Sequence, residues 1–234
     1  MKQFPLKKIV IYLIIPVVGS LILIGAYFSG SDLLQEIVSP PINREYGLVE
    51  NLQLVLLAGI ALIAIFGLKR KKTRPERWIM TLILAGAIFM LLEESDYGLH
   101  QYKLLTGDPI DERVGRMGRN IHNLGDNSDR FKHTGDIGMI LLFIVVPLLF
   151  ARSRRPLLRY LTPDRFFIMT MVAMFLISKF AHLLEASGVG DPGSLHGRIS
   201  EFRELIIYYI FAVYFFDLVF RREYSKGEPQ EVDR

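Results

Sequence analysis

Acidic residues and histidines recur near one end of several apolar segments, where they would lie close to or inside a membrane boundary. Glu50 opens the second apolar segment, Glu93 and Glu94 close the third, and Glu204 lies near the start of the sixth. Carboxylate and imidazole groups can move protons, and three or four that converge can hold zinc, iron or manganese. These residue types indicate acid–base or metal chemistry if the fold brings them together.

The spacing of these groups predicts one common depth. In four apolar segments an acid or histidine lies 16–19 residues from a basic residue at the other end: Glu50 with Lys69, Glu93 with Arg77, His182 with Arg165, and Glu204 with Arg221. At 1.5 Å per helical residue these separations are about 24–28 Å. Ionisable groups inside a membrane usually face the interior of the bundle. The pattern therefore predicts a polar belt just inside one membrane face.

Specific roles follow from residue type. The predicted metal ligands are carboxylates and imidazoles of the belt and of the long loop: Glu93, Glu94, His122, His182 and Glu185. Two other acids are predicted as the general base for a metal-bound water: Glu50 and Glu204. Tyr97 and His100 follow Glu93 at i+4 and i+7, and share its face if the third helix continues past its apolar part.

Structural roles compete with these chemical ones. The adjacent acids Glu93 and Glu94 oppose the helix dipole at a C-terminus, so they need a partner. An interhelical ion pair is an equal alternative to a metal site, with three candidate cations: Lys179, Arg198 and Arg203. A second such alternative is a local pair of His182 with Glu185. Asp217 is predicted to pair with Arg221, four residues on.

Six apolar segments must position these groups. The chain has 234 residues and is 51% hydrophobic, and its mean hydropathy is +0.31. The predicted spans are about 9–28, 47–68, 78–95, 136–151, 166–186 and 202–220. Each must be helical, because backbone polar groups in lipid have to be satisfied within the segment. The predicted fold is an all-α, single-domain membrane protein, 1–234, and the first segment is expected to stay as an anchor.

Basic residues predict the orientation. The two terminal segments and the connections 69–77 and 152–165 hold most of the Lys and Arg residues and lie on one side if there are six spans. The positive-inside rule makes that side cytoplasmic, so both termini are predicted in the cytoplasm. The long loop, about 96–135, is then predicted on the extracytoplasmic side of the membrane. We expect a multi-pass protein of the inner (plasma) membrane, whose first partner is the lipid bilayer.

Composition excludes several classes of function. The chain has no cysteine, which removes thiolate metal sites and cysteine nucleophiles. The net charge of +4 is accounted for by the basic connections, so no nucleic-acid partner is predicted. The sequence has no P-loop, dinucleotide-binding fingerprint or H-E-x-x-H motif.

Two short motifs resemble a loose group of uncharacterised bacterial inner-membrane proteins. Glu93-Glu94-Ser95-Asp96-Tyr97-Gly98 is similar to the helix end Glu-Glu-x-Ser-Trp-Gly-Gln of that group, with Tyr97 for Trp and Leu99 in place of Gln. Asn120-Ile121-His122-Asn123 is similar to its Asn-Leu-His-Asn loop motif. The resemblance covers about a third of the chain. It implies candidate residues, His122 among them, and no particular reaction.

These observations support three hypotheses of function. The first is a metal-dependent hydrolase that acts on a lipid or envelope-linked substrate at the extracytoplasmic face. The second is a non-catalytic subunit or sensor, whose 96–135 loop contacts an extracytoplasmic protein or lipid partner. The third is ion or proton translocation along Glu50, Lys179 and Asp217.

Overall fold

The computed structural model describes residues 6–40, 47–98, 102, 105–106, 127–189 and 199–224. Every regular element in this part of the chain is helical. Eight helices are numbered in chain order, and their bounds are α1 Leu6–Tyr27, α2 Asp32–Val38, α3 Leu48–Arg70, α4 Arg74–Glu94, α5 beginning as Asn127–Ile140, α6 Pro156–Leu161, α7 Phe166–Ala186 and α8 Ile199–Phe216. α5 continues through Leu141–Val145 to Val146–Phe150, and α8 continues through Asp217–Arg221.

Four of these helices are long and apolar enough to cross a membrane: α1, α3, α4 and α7. They match four of the six predicted spans, so the chain has the elements of a multi-pass membrane protein. The predicted span 136–151 falls on α5, whose apolar part, Thr134–Phe150, is shorter than the other four. The predicted span 202–220 falls on α8, which carries charged residues near both of its ends.

Proline explains two interruptions of α-helical geometry. Val10–Ile14 in α1 and Leu141–Val145 in α5 are π-helical, and a proline lies two residues after each segment, Pro16 and Pro147. Proline has no N–H to donate to the carbonyl four residues earlier, so the helix widens before it. For Pro16 that carbonyl belongs to Tyr12. It accepts a hydrogen bond from the Thr170 hydroxyl of α7 instead.

α8 is the central helix of the bundle. It packs against α1, α3 and α7, and α4 packs against α3. A stripe of buried side chains, spaced four residues apart, runs along the helix: Ile206, Ile210, Tyr214 and Leu218. Groups on α8 are therefore held in fixed positions relative to the surrounding helices.

The bundle has two chemically different ends. We call the end that contains Lys8, the α3–α4 turn and Arg221 the basic end, because Lys8 pairs with Asp164 and Lys71 donates to the Arg222 carbonyl there. We call the opposite end the acidic end, because Glu93, Glu94, Glu201 and Glu204 lie there. Gln53 of α3 donates to Glu201 of α8 at this end.

The α3–α4 turn at the basic end is short, and hydrogen bonds to Glu76 hold it. Thr73 caps α4 in a capping box: its hydroxyl accepts from the Glu76 N–H, and the Glu76 carboxylate accepts from the Thr73 N–H. Lys71, also buried, lies 3.4 Å from the Glu76 carboxylate. Glu76 accepts a further hydrogen bond from the Tyr224 N–H at 3.1 Å, which fixes the chain after α8 to this turn.

Candidate functional site

A cleft of about 730 Å³ lies between α3, α4, α5 and α8. Its walls are apolar over most of their length, and they include Leu57, Ile83, Met90, Met139, Leu142 and Phe211. Leu82 and Phe89 also line it and are 67% and 48% exposed, so the cleft opens to the side of the molecule along α4. In a membrane this opening faces the hydrocarbon chains of lipids.

Glycines create part of this space. Gly86 of α4 and Gly135 and Gly138 of α5 line the cleft, and a Cβ atom added to any of them would meet no atom within 4 Å. Side chains at these positions would therefore extend into open volume. The cleft is wide where these helices lack side chains.

Charged residues border the cleft at its acidic end. Four carboxylates and one cation of the described chain line it there: Glu93, Glu94, Asp136, Glu204 and Arg203. The site is thus apolar along its length and acidic at one end. A cavity of this shape suits a molecule that has a hydrocarbon chain and a polar head.

Glu93 is almost completely buried, with 1% of its surface exposed. It accepts a hydrogen bond from the Tyr97 hydroxyl. α4 ends at Glu94, so Tyr97 does not reach Glu93 by a continued helix. Its backbone instead adopts φ 56°, a left-handed conformation that side-chain-bearing residues adopt only where the surroundings hold them. The hydrogen bond to Glu93 raises the pKa of Tyr97, so the phenol stays a donor.

Two contacts tie the acidic end to α8. The Tyr208 hydroxyl donates to Glu94, and Arg203 donates to Asp136 of α5 at 3.1 Å. Arg203 is one of three cations that the sequence offers as partners for Glu93 and Glu94. In the structure its ion pair is with Asp136. The ion pair of Asp136 was not predicted. Its position at the start of the fourth apolar segment resembles that of Glu50 and could have indicated it.

Gln53 adds a buried amide to this end. Its side chain is fully buried, and its Nε2 donates to the carbonyl and the carboxylate of Glu201, at 3.0 Å and 3.4 Å. Two acceptors fix the amide orientation, so Oε1 points the other way and has no hydrogen-bond partner in the described chain. Glu50 lies one turn before Gln53 on α3 and does not line the cleft.

The histidine part of the predicted belt lies elsewhere. His182 Nδ1 is 3.5 Å from a Glu185 carboxylate oxygen, and the His182 side chain is 58% exposed. Both residues belong to α7, and no residue of α7 lines the cleft. The structure thus brings Glu93, Glu94 and Glu204 to one cavity and leaves His182 and Glu185 as a separate pair.

The metal site stays a prediction. Within the described ranges, no group of three or more histidine and carboxylate side chains could hold a metal ion. His122, the predicted ligand from the long loop, lies outside the described residues, as do His100 and the Asn-x-His-Asn motif.

Comparisons of this chain with protein-family models, with curated proteins and with solved structures find no match. The functional argument therefore depends on the geometry of the cleft and of its acidic end.

Proposed function

We propose that the chain crosses the inner membrane six times, with both termini in the cytoplasm and the acidic end outside. The central position of α8 supports its span, because it packs along three helices that are long enough to cross. Ile199–Phe216 and Asp217–Arg221 together make about 23 residues, roughly 34 Å of helix. Its stretch 205–216 has no charged residue. The basic connections support the orientation through the positive-inside rule.

We infer that the cleft binds a lipid or a lipid-linked envelope molecule, with the hydrocarbon chain between α4 and α5 and the polar head at Glu93, Glu94 and Glu204. The observation that carries this proposal is one cavity that is apolar along its walls and acidic at a single end. The cleft opens to the side, so a molecule already in the bilayer can enter it without crossing water. Its acidic end selects heads that carry hydrogen-bond donors or positive charge.

The reaction proposed for this site is hydrolysis of the polar head. Glu204 is the better candidate for the general base, because it lines the cleft and Glu50 does not. A divalent zinc, iron or manganese ion would bind Glu93 and Glu94 and would need a third ligand. His122 is the residue that the sequence offers for that position.

The test of lipid binding fills the cleft by replacing one of the glycines that line it. Gly86→Leu fills the middle of the cleft, and Gly25→Leu is the matched control, because Gly25 also lies within a helix with no atom within 4 Å of an added Cβ and does not line the cleft. Lipids that co-purify with the full chain are counted by native mass spectrometry. We expect the Gly86 variant to lose a bound lipid that the wild type and the control retain. Equal lipid content in all three would contradict the proposal.

A second set of variants tests the reaction. The wild type, Glu204→Gln and Glu93→Gln are incubated with extracted membrane lipids, with and without added zinc, iron or manganese, and release of water-soluble head groups is measured. We expect release by the wild type and at least a hundredfold loss in Glu204→Gln, the scale of general-base catalysis. Lipid binding without any release would reject the hydrolase and leave the binding site in place.

The second candidate is a non-catalytic lipid-binding subunit or sensor. The observation that favours it is that polar groups at the acidic end already pair across helices, Arg203 with Asp136 and Glu94 with Tyr208. In that case a partner protein contacts the 96–135 loop. Intact lipid in the cleft together with a stoichiometric co-purified protein would support this function over hydrolysis.

A further inference from the structure

The α3–α4 turn at the basic end carries far more positive charge than it neutralises. Lys69, Arg70, Lys71, Lys72, Arg74 and Arg77 lie within nine residues, and Glu76 is the one acid among them. Glu76 is buried and already bonded to Lys71, Thr73 and Tyr224. The other five cations therefore have no carboxylate partner within this turn.

A second cavity, of about 330 Å³, lies beside this turn and is separate from the cleft. It is lined by Arg74, Arg77, Trp78 and Thr81 of α4 and by Leu68 of α3. The four α4 residues are spaced i, i+3, i+4 and i+7, so they form one face of the helix. Two guanidinium groups, an indole, a hydroxyl and an apolar side chain thus border one open pocket.

The two arginines are available for a ligand. Both are exposed, and neither guanidinium forms a hydrogen bond or ion pair with another described residue. The Thr81 hydroxyl donates to the Arg77 backbone carbonyl. Guanidinium groups bind phosphate oxygens through two parallel hydrogen bonds, which lysine cannot reproduce.

The position of the cavity identifies the source of the phosphate. Arg77 is 16 residues from Glu93 along α4, about 24 Å, so it lies at the opposite membrane boundary from the acidic end. Trp78 is 67% exposed there, as expected of an indole at the level of lipid head groups. Leu82, one turn further into the bilayer, is also 67% exposed and can contact an acyl chain.

We propose that this cavity binds the phosphate of an anionic phospholipid from the leaflet next to the basic end. Arg74 and Arg77 hold the phosphate oxygens, Trp78 contacts the glycerol region, and Leu68 contacts the acyl chains. The site is independent of the chemistry proposed for the cleft. It anchors the start of α4, whose other end carries Glu93 and Glu94.

The test uses Trp78 as its own reporter, because it is the only tryptophan of the chain. The full-length protein is reconstituted in phosphatidylcholine nanodiscs that contain a small fraction of phosphatidylglycerol with brominated acyl chains. A second series contains brominated phosphatidylcholine at the same fraction. Bromine quenches indole fluorescence only at short range, so quenching reports which lipid occupies the site. We expect stronger quenching by the anionic lipid.

Three variants identify the groups responsible. Arg74→Gln combined with Arg77→Gln should lower the apparent affinity for the anionic lipid at Trp78 by about tenfold or more, because the charge-assisted hydrogen bonds to the phosphate are lost. Arg152→Gln combined with Arg154→Gln removes two exposed cations that do not line the cavity and should leave the preference unchanged. Arg74→Lys combined with Arg77→Lys keeps the charge and should lose part of the preference, because the paired hydrogen bonds are gone.

Two results would overturn the proposal. One is equal quenching of the wild type by both lipids, which needs no variant to interpret. The other is an undiminished preference in the double glutamine variant, which would assign the effect to the general positive charge of the turn. A preference that is unchanged in the lysine variant would contradict the assigned role of the paired guanidinium hydrogen bonds, and thermal unfolding of each variant shows that it is folded.

Discussion

Two buried acids at the basic end of the bundle, Glu76 and Asp217, are held by hydrogen bonds and ion pairs, whereas the acids of the acidic end line the cleft. Asp217, 4% exposed, accepts from the Tyr12 hydroxyl and from Arg221, and buried Glu76 accepts from Thr73 and Tyr224. Glu93, just as deeply buried, lines the cleft. Burial of a carboxylate is thus compatible with two different roles, and only its neighbours distinguish them.

This contrast implies that the basic end contributes mainly to stability and the acidic end mainly to ligand binding. Internal ion pairs and hydrogen bonds at the basic end hold α1, α3, α4, α6 and α8 together, so changes there should affect stability. At the acidic end, Glu93, Glu94 and Glu204 line a space that a ligand can fill. Changes there should affect ligand binding more than stability. The four predictions below test this difference, from the largest expected effect to the smallest.

The largest effect is expected for Glu76→Ala. This change leaves Lys71 buried without its carboxylate and removes the cap of α4, and breaking one side of a buried ion pair costs about 3–5 kcal/mol. Thermal unfolding of the purified protein in detergent measures the loss. Glu223→Ala, at an exposed acid of the same region, is the control and should leave the melting temperature unchanged. Equal, small effects of both changes would remove the distinction between the two ends.

A smaller effect is expected where helices approach most closely. A Cβ at Gly67 would lie 2.5 Å from the Met80 sulfur and 2.9 Å from a Val219 methyl group. Gly67→Val should therefore destabilise the protein by about 1–3 kcal/mol. Gly59→Val in the same helix has no atom within 4 Å of the added Cβ and serves as the control. A melting temperature as high in the Gly67 variant as in the control would show that α3, α4 and α8 do not pack as described.

Tyr12→Phe tests the bond that joins α1 to α8. It leaves one Asp217 oxygen without its buried donor, while Arg221 still occupies the other. The expected cost is about 1–2 kcal/mol, because one buried acceptor becomes unsatisfied. Phe166→Leu removes a neighbouring ring but no hydrogen bond, so it separates loss of packing from loss of the bond. No difference between Tyr12→Phe and wild type in thermal unfolding would argue against a structural role for Asp217.

The smallest stability effect is expected at the acidic end. Glu93→Gln keeps an acceptor for Tyr97 and removes one of several negative charges, so the change in stability should be below about 1 kcal/mol. Binding or turnover of the cleft ligand should fall at the same time. A large loss of stability with unchanged ligand binding would place Glu93 with the structural acids of the basic end.

Local spacing predicted several features that the structure confirms. Asp217 pairs with Arg221 at 2.9 Å as predicted, because residues three or four apart on a helix are neighbours. His182, predicted as a metal ligand, lies 3.5 Å from Glu185, which is the local pair given as the alternative. Four long apolar segments appear as helices for a similar reason, since their length alone specifies them. The sequence placed Tyr97 on the face of Glu93 only if the third helix continued. The helix ends at Glu94, and a left-handed turn brings the two side chains together instead.

Contacts between helices could not be predicted from the sequence. Arg203 with Asp136 and Tyr208 with Glu94 are 67 and 114 residues apart in sequence. They depend on how each helix is rotated about its axis, and the hydropathy of a segment that is apolar all round does not specify that rotation. The cleft itself was missed for the same reason. Its glycines look ordinary in sequence, and only the packing of α4, α5 and α8 turns them into open space.

The most direct test of the central claim is to locate the lipid. A phospholipid with a photoreactive acyl chain is incorporated with the full-length protein into nanodiscs, and the cross-linked peptides are identified by mass spectrometry. We predict cross-links at cleft residues of α4 and α5, such as Met90 and Met139, and their loss in Gly86→Leu. Cross-links confined to outward-facing side chains such as Leu176 and Leu183, with none in the cleft, would contradict a lipid site at the acidic end.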